Sequence, residues 1–536
     1  MTSARSDCRQ ERTSRPAVFA LLLIVTLITS TNPASAQERY DVIIRNGRVL
    51  DGSGNPWFRA DVALRGERIA AVGDLSGAQA ERAIDAAGLY VAPGFIDSHS
   101  HAAGRLISAE ESEGQLLLAQ GITTVLINPD GGGATDLPTQ RASLLKHGLG
   151  VNVAQLAAHG AIRFTVMEAE DRLATEAELD SMRALVRRAM EAGAFGLSTG
   201  PFYVPGSYSD TRELVELAKV AAAYGGAYTS HIRDESNYTI GLVAAVDEVI
   251  QVAREAGLPA VVTHIKALGP PVWGYAQAVV ERIARAREEG LQVYADQYPY
   301  LASSTGLGSA LLPRWAQAGG RDSLIARFDN PGVMPRIRAA MVENLARRGG
   351  ADRIQFRHFP PDSTVLGLKL SEVAAALNMD PIDAAVAMLR QGNASIISFN
   401  MNARDVATFM RQPWTMTSSD GGSQGFPHPR TFGAFARKIR TYVLDEQVVD
   451  LAAAIRSMTS LPAQVFQIQD RGMIRPGAYA DLVVFDLAKL HDRATFTDPI
   501  QLAEGMVHLF VNGKAAISDG AFTGSLDGRV LRRRDE

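Results

Sequence analysis

An alternation of short apolar runs with longer alanine-rich stretches constrains the fold of this chain more than any other feature. The longer stretches, such as 210–224 and 242–256, carry apolar residues at helical spacing. The short runs are typical of buried strands, and eight of them follow one another: 88–96, 121–128, 151–158, 194–198, 226–232, 259–266, 291–298 and 413–419. Eight strand–helix units predict an α/β fold of the TIM type, a (β/α)8 barrel.

The two chain ends have a different pattern from the middle. Four segments alternate polar and apolar residues, as short antiparallel strands do: 40–50, 60–70, 480–485 and 507–514. We therefore predict a small β-sandwich domain formed by both chain ends, from residues 37–92 and 469–536. The barrel would occupy 93–468, and its segment 301–412 is too long for one helix. That segment contains Pro-rich and Gly-rich pieces and is predicted to be an insertion over the barrel mouth.

The first 36 residues have the pattern of a cleavable signal peptide. An apolar run at 17–28 is short for a membrane span, and Ala-Ser-Ala at 34–36 offers a cleavage site. The run is preceded by four cationic residues: Arg5, Arg9, Arg12 and Arg15. The sequence predicts a periplasmic or secreted protein with no membrane span after processing, and an uncleaved anchor is the alternative. The one cysteine, Cys8, would be removed, so no cysteine would remain as a metal ligand.

Charge and hydrophobic content exclude some functions. The chain has 54 Lys and Arg against 58 Asp and Glu, a net charge of −4, which gives no basic surface for nucleic acid. Its 46% hydrophobic content is that of a globular protein with a large core. No nucleic-acid partner is therefore expected.

Histidines follow the first predicted strand. The apolar run ends at Ile96 and continues as Asp-Ser-His-Ser-His, which places His99 and His101 two residues apart. Side chains two apart on a strand point to the same face, so both imidazoles can bind one divalent metal. The alternative is two unrelated histidines that happen to be close in the sequence.

Three later strands also end in residues that bind metals. His231 ends the fifth run, His264 the sixth and Asp420 the eighth. The active sites of such barrels lie at the C-terminal ends of the strands, so these side chains are expected to meet His99 and His101. Nitrogen and carboxylate ligands favour zinc, with manganese, cobalt and iron as alternatives. The sequence predicts a metal-dependent hydrolase.

These residues lie within a longer set of motifs. With them the chain resembles the amidohydrolase superfamily and, within it, the N-acyl-D-amino-acid deacylases, or D-aminoacylases. The motifs are PGFIDSHSH (93–101), GLSTG (196–200), PGSY (205–208), SHIRDE (230–235), YPY (298–300), SSTG (303–306) and SDG (419–421). The resemblance implies a zinc enzyme that hydrolyses the amide bond of an N-acyl-D-amino acid.

The resemblance also implies roles for individual residues. His231 and His264 would hold the tightly bound zinc, and the neighbouring position would be surrounded by His99, His101 and Asp420. Asp420 would take a proton from the attacking water and pass it to the departing amine. The substrate α-carboxylate would be clamped by Lys266, Tyr298 and Arg430. The pocket would be lined by Tyr203 and Ser304.

One departure from the family concerns the metal bridge. Relatives place a bridging cysteine after the second strand, where this chain has Asn-Pro-Asp-Gly-Gly-Gly at 128–133. Asp130 is the best substitute, and the alternative is an Asp-Gly turn without metal contact. A bridging lysine at the end of the fourth strand is excluded, because no lysine lies between Lys146 and Lys219. One zinc ion, or two joined by Asp130, remain.

Two rival functions stay open at this point. A related enzyme would cleave dipeptides with a C-terminal D-residue, or cyclic amides. A catalytically silent binding protein would keep the barrel without turnover, although neither the histidines nor Asp420 are missing. Outside these motifs, His428 is expected to be a solvated loop residue, and the alternative is a position at the border of the pocket near Arg430.

Overall fold

The computed structural model describes residues 39–422 and 426–533. The predicted signal peptide lies outside the described residues, and export stays a prediction. Within the described ranges, no helix is both long enough and apolar enough to cross a membrane.

Eight parallel strand positions form a barrel in the described part of the chain. They are Phe95–Asp97, Ile122–Ile127, Asn152–Gln155 continued by Ala157–Ala158, Gly196–Thr199, Ala227–Ser230, Ala260–Val262, Val293–Gln297 and Thr415–Thr417. The eighth position returns to the first through a parallel bridge between Ser100 and Gly421. Each strand coincides with a run that the sequence identified, although the first and fourth strands end one residue later, at Asp97 and Thr199. The predicted TIM-type barrel is therefore confirmed.

Amphipathic helices surround this barrel. In the helix Leu242–Ala256 the buried residues include Leu242, Val246, Val249 and Ala253, which share one face. The helix stops at Gly257, whose left-handed backbone (φ 69°) is a common way to end a helix. Longer helices of this layer are Leu137–Leu145, His159–Met167, Glu176–Glu191, Thr211–Ala223, Leu242–Ala256, Ala276–Glu288, Ala403–Met410, Arg430–Arg437, Lys438–Asp445, Leu451–Met458 and Ser460–Phe466. Two short helices, Ala103–Leu106 and Gln115–Leu118, follow the first strand.

The segment after the seventh strand builds a separate layer with its own core. Its three strands, Ser303–Gly306, Ser395–Ser398 and Ile354–His358, form an antiparallel sheet with Ser395–Ser398 in the middle. Phe356 and Ile396 are fully buried between this sheet and the surrounding helices. Those helices are Leu307–Leu311, Gly320–Asp329, Met334–Arg347, Leu370–Ala376 and Pro381–Gln391. We call residues 301–402 the insertion layer.

Short 3-10 turns complete the described chain. They are Gly206–Tyr208, Pro270–Val272, Arg314–Gln317, Ala351–Arg353 and Ser363–Val365. The first of these belongs to the loop after the fourth barrel strand, which forms part of the barrel mouth.

The two ends of the chain together form one nine-stranded sheet. This confirms the prediction that both ends contribute to a single β-domain. Tyr90–Pro93 joins the halves, because it pairs parallel with Arg39–Val49 and antiparallel with Leu482–Phe485. The other strands are Phe58–Arg65, Arg68–Gly73, Gln79–Asp85, Met506–Val511, Lys514–Ser518 and Ala521–Phe522.

A buried aspartate ties this sheet to the barrel. Asp481, 4% exposed, accepts hydrogen bonds from the Asn512 backbone N–H (2.7 Å) and from Asn152 Nδ2 of the third barrel strand (3.2 Å). Its second oxygen also pairs with Arg471, which is equally buried. The Asp481 carboxylate therefore neutralises the positive charge of the buried Arg471 side chain.

Asp481→Ala is expected to destabilise the fold by about 3–5 kcal/mol, because it leaves Arg471 buried without its carboxylate. Thermal unfolding followed by circular dichroism measures the change. The control is Glu81→Ala, which removes an exposed partner of Arg39 and is expected to change stability by less than about 1 kcal/mol. Equal unfolding midpoints for the two variants would contradict this view of the domain junction.

Candidate active site

The predicted metal ligands converge on Asp130 at the C-terminal mouth of the barrel. Asp130 Oδ1 lies 3.3 Å from Nε2 of both His99 and His264. Asp130 Oδ2 lies 3.3 Å from His101 Nε2, and Oδ1 lies 3.7 Å from His231 Nδ1. Residues that are far apart in the chain therefore form one cluster.

The cluster divides into two overlapping groups. Within each group, one ligand atom per residue lies within 4.8 Å of the others. The first group is His99, His101, Asp130 and Asp420; the second is Asp130, His231 and His264. Asp130 belongs to both groups, which is the position of a bridging ligand.

The chemistry of these side chains fits a divalent metal. His99 Nε2 and both ring nitrogens of His231 are buried, and none has a hydrogen-bond partner among the described residues. Such atoms are unfavourable unless something binds them. Imidazole nitrogens and carboxylate oxygens at this spacing are a donor set that zinc accepts.

The backbone beneath three of these residues is strained. Asp130, His264 and Asp420 have φ values of 56°, 36° and 46°, in the left-handed region that residues other than glycine seldom adopt. Strain of this kind persists where the surrounding structure enforces it, and it concentrates at functional sites. Here each strained residue follows the end of a barrel strand and turns its side chain toward the cluster.

Hydrogen bonds between the first and eighth strands hold His99, His101 and Asp420 in register. The Asp420 N–H donates to His99 O (2.9 Å), and the His101 N–H donates to Gly421 O (2.8 Å). Below them, the Ser419 N–H donates to Asp97 Oδ1 (2.9 Å). Burial raises the pKa of Asp97 to about 6, although Ser419 opposes the shift.

Asp296 is a supporting residue that the sequence reasoning missed. Its Oδ1 accepts the His264 N–H (2.8 Å) and the Ser418 hydroxyl (2.7 Å), so it joins the sixth, seventh and eighth strands. The candidate ligands were identified because they follow the ends of barrel strands. The same criterion would have identified Asp296, which lies near the end of the seventh strand.

Glu235 is a second supporting residue that was not predicted. Its Oε1 lies 3.0 Å from His264 Nδ1 and forms an ion pair with Lys266. Burial alone would raise the pKa of Glu235, but Lys266 and the neighbouring imidazoles hold that pKa well below its ordinary value. A carboxylate behind a histidine fixes which ring nitrogen faces a metal. Its position four residues after His231 in SHIRDE was the available signal.

Lys266 therefore has a neighbour that the sequence did not reveal. Its Nζ pairs with Glu235 and lies 2.7 Å from His264 Nδ1, and the residue still lines the cleft. Its role as a clamp on a substrate carboxylate remains a prediction, and the geometry adds a contact to the imidazole of a candidate ligand.

Glu235→Ala is expected to weaken zinc binding by about 10- to 100-fold, because the ring of His264 loses its orienting carboxylate. Zinc affinity measured against a competing chelator tests this. The matched control is Glu248→Ala, which removes a buried glutamate paired with Arg233 outside the cleft and should leave the affinity unchanged. Equal zinc affinity of Glu235→Ala and the unmodified protein would refute the supporting role.

Arg430 connects the candidate base to the substrate side of the site. Its Nη1 lies 2.9 Å from Asp420 Oδ2, and its guanidinium lies 4.4 Å from the centre of the Tyr298 ring. Burial raises the pKa of Asp420, but Arg430 outweighs burial and holds that pKa well below its ordinary value. Asp420 is therefore ionised at neutral pH and able to accept a proton.

The expectation for His428 was wrong. This residue is 2% exposed; its Nδ1 accepts the Arg430 N–H (3.0 Å), and its Nε2 lies 3.0 Å from Ala302 O. Burial lowers the pKa of His428 well below its ordinary value. The neutral ring thus positions Arg430 and does not face solvent.

The cluster forms the floor of a cleft of about 640 Å³. Tyr203 and Ser304 line it, as predicted. The Tyr203 hydroxyl lies 3.3 Å from Thr305 Oγ1, and the Ser304 hydroxyl donates to Ile396 O (2.9 Å). The apolar part of the lining comes from barrel loops: Ala161, Phe164, Phe202, Val204 and Pro205. The insertion layer contributes polar residues to the lining: Ser303, Ser304, Thr305, Arg348, Arg357 and Ser395.

A (β/α)8 barrel with four imidazoles and two carboxylates at its mouth defines a metal-dependent hydrolase. The comparison with protein families gives the particular group. Residues 82–517 match the model of the amidohydrolase family (Amidohydro_3), and the chain belongs to that family.

The sequences of curated relatives align with most of this chain. It is 37% identical to an N-acyl-D-glutamate deacylase of Alcaligenes xylosoxydans xylosoxydans, over 93% of this chain and 97% of the relative. A structure of N-acyl-D-glutamate deacylase from Bordetella bronchiseptica, with zinc and a phosphonate mimic of the tetrahedral intermediate, matches with a TM-score of 0.79 and 34% identity. A D-aminoacylase structure described by its binuclear metal centre matches with a TM-score of 0.80 and 33% identity. Both structures are covered completely, by 92% of this chain.

Proposed function

We propose that this protein is a zinc-dependent amidohydrolase that cleaves N-acyl-D-amino acids into a carboxylate and a free D-amino acid. The observation that carries the proposal is the cluster centred on Asp130, with the Asp420–Arg430 pair beside it in one cleft. The deacylase relatives, which align over nearly the full length, support the same substrate class.

The residues present would hold one or two zinc ions. His231, His264 and Asp130 would form one position, and His99, His101, Asp130 and Asp420 the neighbouring one. Zinc, when bound, polarises an amide carbonyl and lowers the pKa of a water from about 15.7 to about 7.

The protein's own groups handle the proton and the substrate. Ionised Asp420 accepts the proton of the attacking water and returns it to the amine nitrogen as the C–N bond breaks. Arg430 and Tyr298 face the substrate α-carboxylate, and Arg430 is capable of a two-point contact. Burial, with Asp130 nearby, raises the pKa of Tyr203, so its hydroxyl stays protonated and is able to donate a hydrogen bond to the substrate.

The decisive experiment is a substrate panel assayed with the zinc-loaded protein. The panel contains N-acetyl-D- and N-acetyl-L-amino acids, dipeptides with a C-terminal D-residue, and hydantoins. We expect release of free D-amino acids from the N-acetyl-D series and little turnover of the L series. Turnover of cyclic amides alone, or of the L series in preference, would overturn the proposal.

We propose in addition that the protein is exported and processed after Ala36. Support comes from the arginines, apolar run and Ala-Ser-Ala site of residues 1–36. Amino-terminal sequencing of protein from the periplasm and medium is expected to begin at Gln37. A chain recovered from membranes with residues 1–36 intact would instead indicate an anchor.

A further inference from the structure

A second cavity, which we call the side groove, adjoins the cleft between the barrel and the insertion layer. Its volume is about 410 Å³, which is within the usual range for a small-ligand site. Four residues line both the cleft and the side groove: Phe164, Tyr203, Val204 and Pro205. The side groove therefore begins where the apolar part of the cleft lining ends.

The side of this groove that the insertion layer provides is also largely apolar. Leu312, Leu324 and Leu389 line it. Among the described residues that line the side groove, the only charged one is Arg321. Its guanidinium already donates to the backbone carbonyls of Leu389 (3.3 Å) and Arg390 (2.7 Å). The lining therefore favours an apolar ligand over a charged one.

Phe164 lies at the junction of the two cavities. This side chain, on the helix His159–Met167, is 55% exposed although it is large and apolar. An apolar chain that ran from the cleft into the side groove would cover Phe164. Removal of both apolar surfaces from water would stabilise the complex.

The direction of a bound substrate leads toward this junction. In a linear amide, the acyl chain and the amino-acid part lie on opposite sides of the carbonyl carbon. With that carbon at the Asp130 cluster and the α-carboxylate at Arg430, the acyl chain points away from the eighth strand. The fourth strand lies opposite the eighth in an eight-stranded barrel, and the loop after it carries Val204 and Pro205. The acyl chain is thus directed to the entrance of the side groove.

We propose that the side groove binds the acyl chain of the substrate, so that the preferred substrates carry an aliphatic acyl group longer than acetyl. This inference rests on the proposed function, which leaves the nature of the acyl group open. Each methylene of the chain that leaves water for the groove adds binding free energy at a distance from the reacting bond.

The test compares the N-acetyl, N-hexanoyl and N-succinyl derivatives of one D-amino acid, the one whose acetyl derivative the enzyme cleaves fastest. The amino acid is constant, so only the acyl group varies. The unmodified enzyme is expected to show a kcat/KM at least about tenfold higher for the hexanoyl than for the acetyl derivative, because the added methylenes are buried. The succinyl derivative, which carries a carboxylate, should be cleaved more slowly than the hexanoyl one.

Two variants locate the acyl chain. Leu324→Lys places a charge in the side groove and should bring the hexanoyl-to-acetyl ratio close to one. Phe164→Ala removes apolar surface at the junction and should lower the ratio by about three- to tenfold. The matched control is Leu377→Lys, at a leucine of the insertion layer that is 46% exposed and outside both cavities, which should leave the ratio unchanged. Should Leu324→Lys fail to fold, Phe164→Ala decides, since Phe164 is more than half exposed.

Each outcome decides the inference. Equal or faster turnover of the acetyl derivative by the unmodified enzyme overturns it, while D-specific hydrolysis would still support the proposed function. Fastest turnover of the succinyl derivative would indicate an anion at Arg321 and overturn the apolar assignment. A hexanoyl preference that survives both Phe164→Ala and Leu324→Lys overturns the location in the side groove. Absence of turnover with every N-acyl-D-amino acid would defeat the proposed function itself.

Discussion

Asp420→Asn is expected to lower kcat by about three orders of magnitude, because the amide cannot accept the proton of the attacking water. Arg430 keeps the carboxyl of Asp420 ionised, so the unmodified residue is in its basic form at neutral pH. Steady-state kinetics with an N-acetyl-D-amino acid measure the loss. Zinc content measured on the same preparation separates loss of the base from loss of the metal.

The matched control for this variant is Asp492→Asn. Asp492 is also buried and paired with an arginine, since Arg437 Nη1 donates to its Oδ2 (3.1 Å), but it lies outside the cleft. Its kcat should stay within about twofold of the unmodified enzyme. If Asp420→Asn retains zinc and full activity, Asp420 is not the base.

Asp130→Ala is expected to lower the zinc content and to reduce kcat/KM by at least about 100-fold, because Asp130 contributes to both ligand groups. Asp130→Cys should keep most of the zinc, since a thiolate is also a zinc ligand. Metal analysis after removal of loosely bound ions gives the stoichiometry for each variant. If the protein binds two ions, the alanine variant is expected to retain fewer.

Asp136→Ala on the same loop is the control for Asp130. Asp136 caps the helix Leu137–Leu145 by accepting the Thr139 N–H (3.2 Å), so its loss should reduce stability by about 1 kcal/mol. Zinc content should not change in this variant. If Asp130→Ala keeps the zinc stoichiometry and the activity of the unmodified protein, Asp130 does not bind the metal. Residues 130–131 would then be an Asp-Gly turn without metal contact.

The barrel could be predicted because its signal is local. A strand buried on both faces must be apolar, and the residue that ends it must face the mouth, so Ile122–Ile127 and His264 are recognisable from the sequence alone. The metal cluster follows from the same rule applied to several strands. The fold and the convergence of the candidate ligands were therefore predictable from the sequence.

Side chains whose surroundings come from distant segments were not accessible. His428 is buried because Tyr300 and Phe496 pack against it, at ring-centre distances of 5.2 and 5.0 Å. The residues next to His428 in the sequence do not indicate that Tyr300 and Phe496 will pack against it. Arg348 likewise reaches the cleft only because the insertion layer folds over the barrel mouth, and the Glu235–Lys266 pair depends on two strands lying side by side.

The sheet built from both chain ends has a consequence for biosynthesis. Tyr90–Pro93 leads directly into the first barrel strand, and its antiparallel partner Leu482–Phe485 leaves the ribosome almost last. Until then one edge of Tyr90–Pro93 has no partner strand, and contacts between such distant segments form slowly. Premature termination before Leu482 would thus release a polypeptide with an open β-edge prone to aggregation, whereas the completed chain closes it.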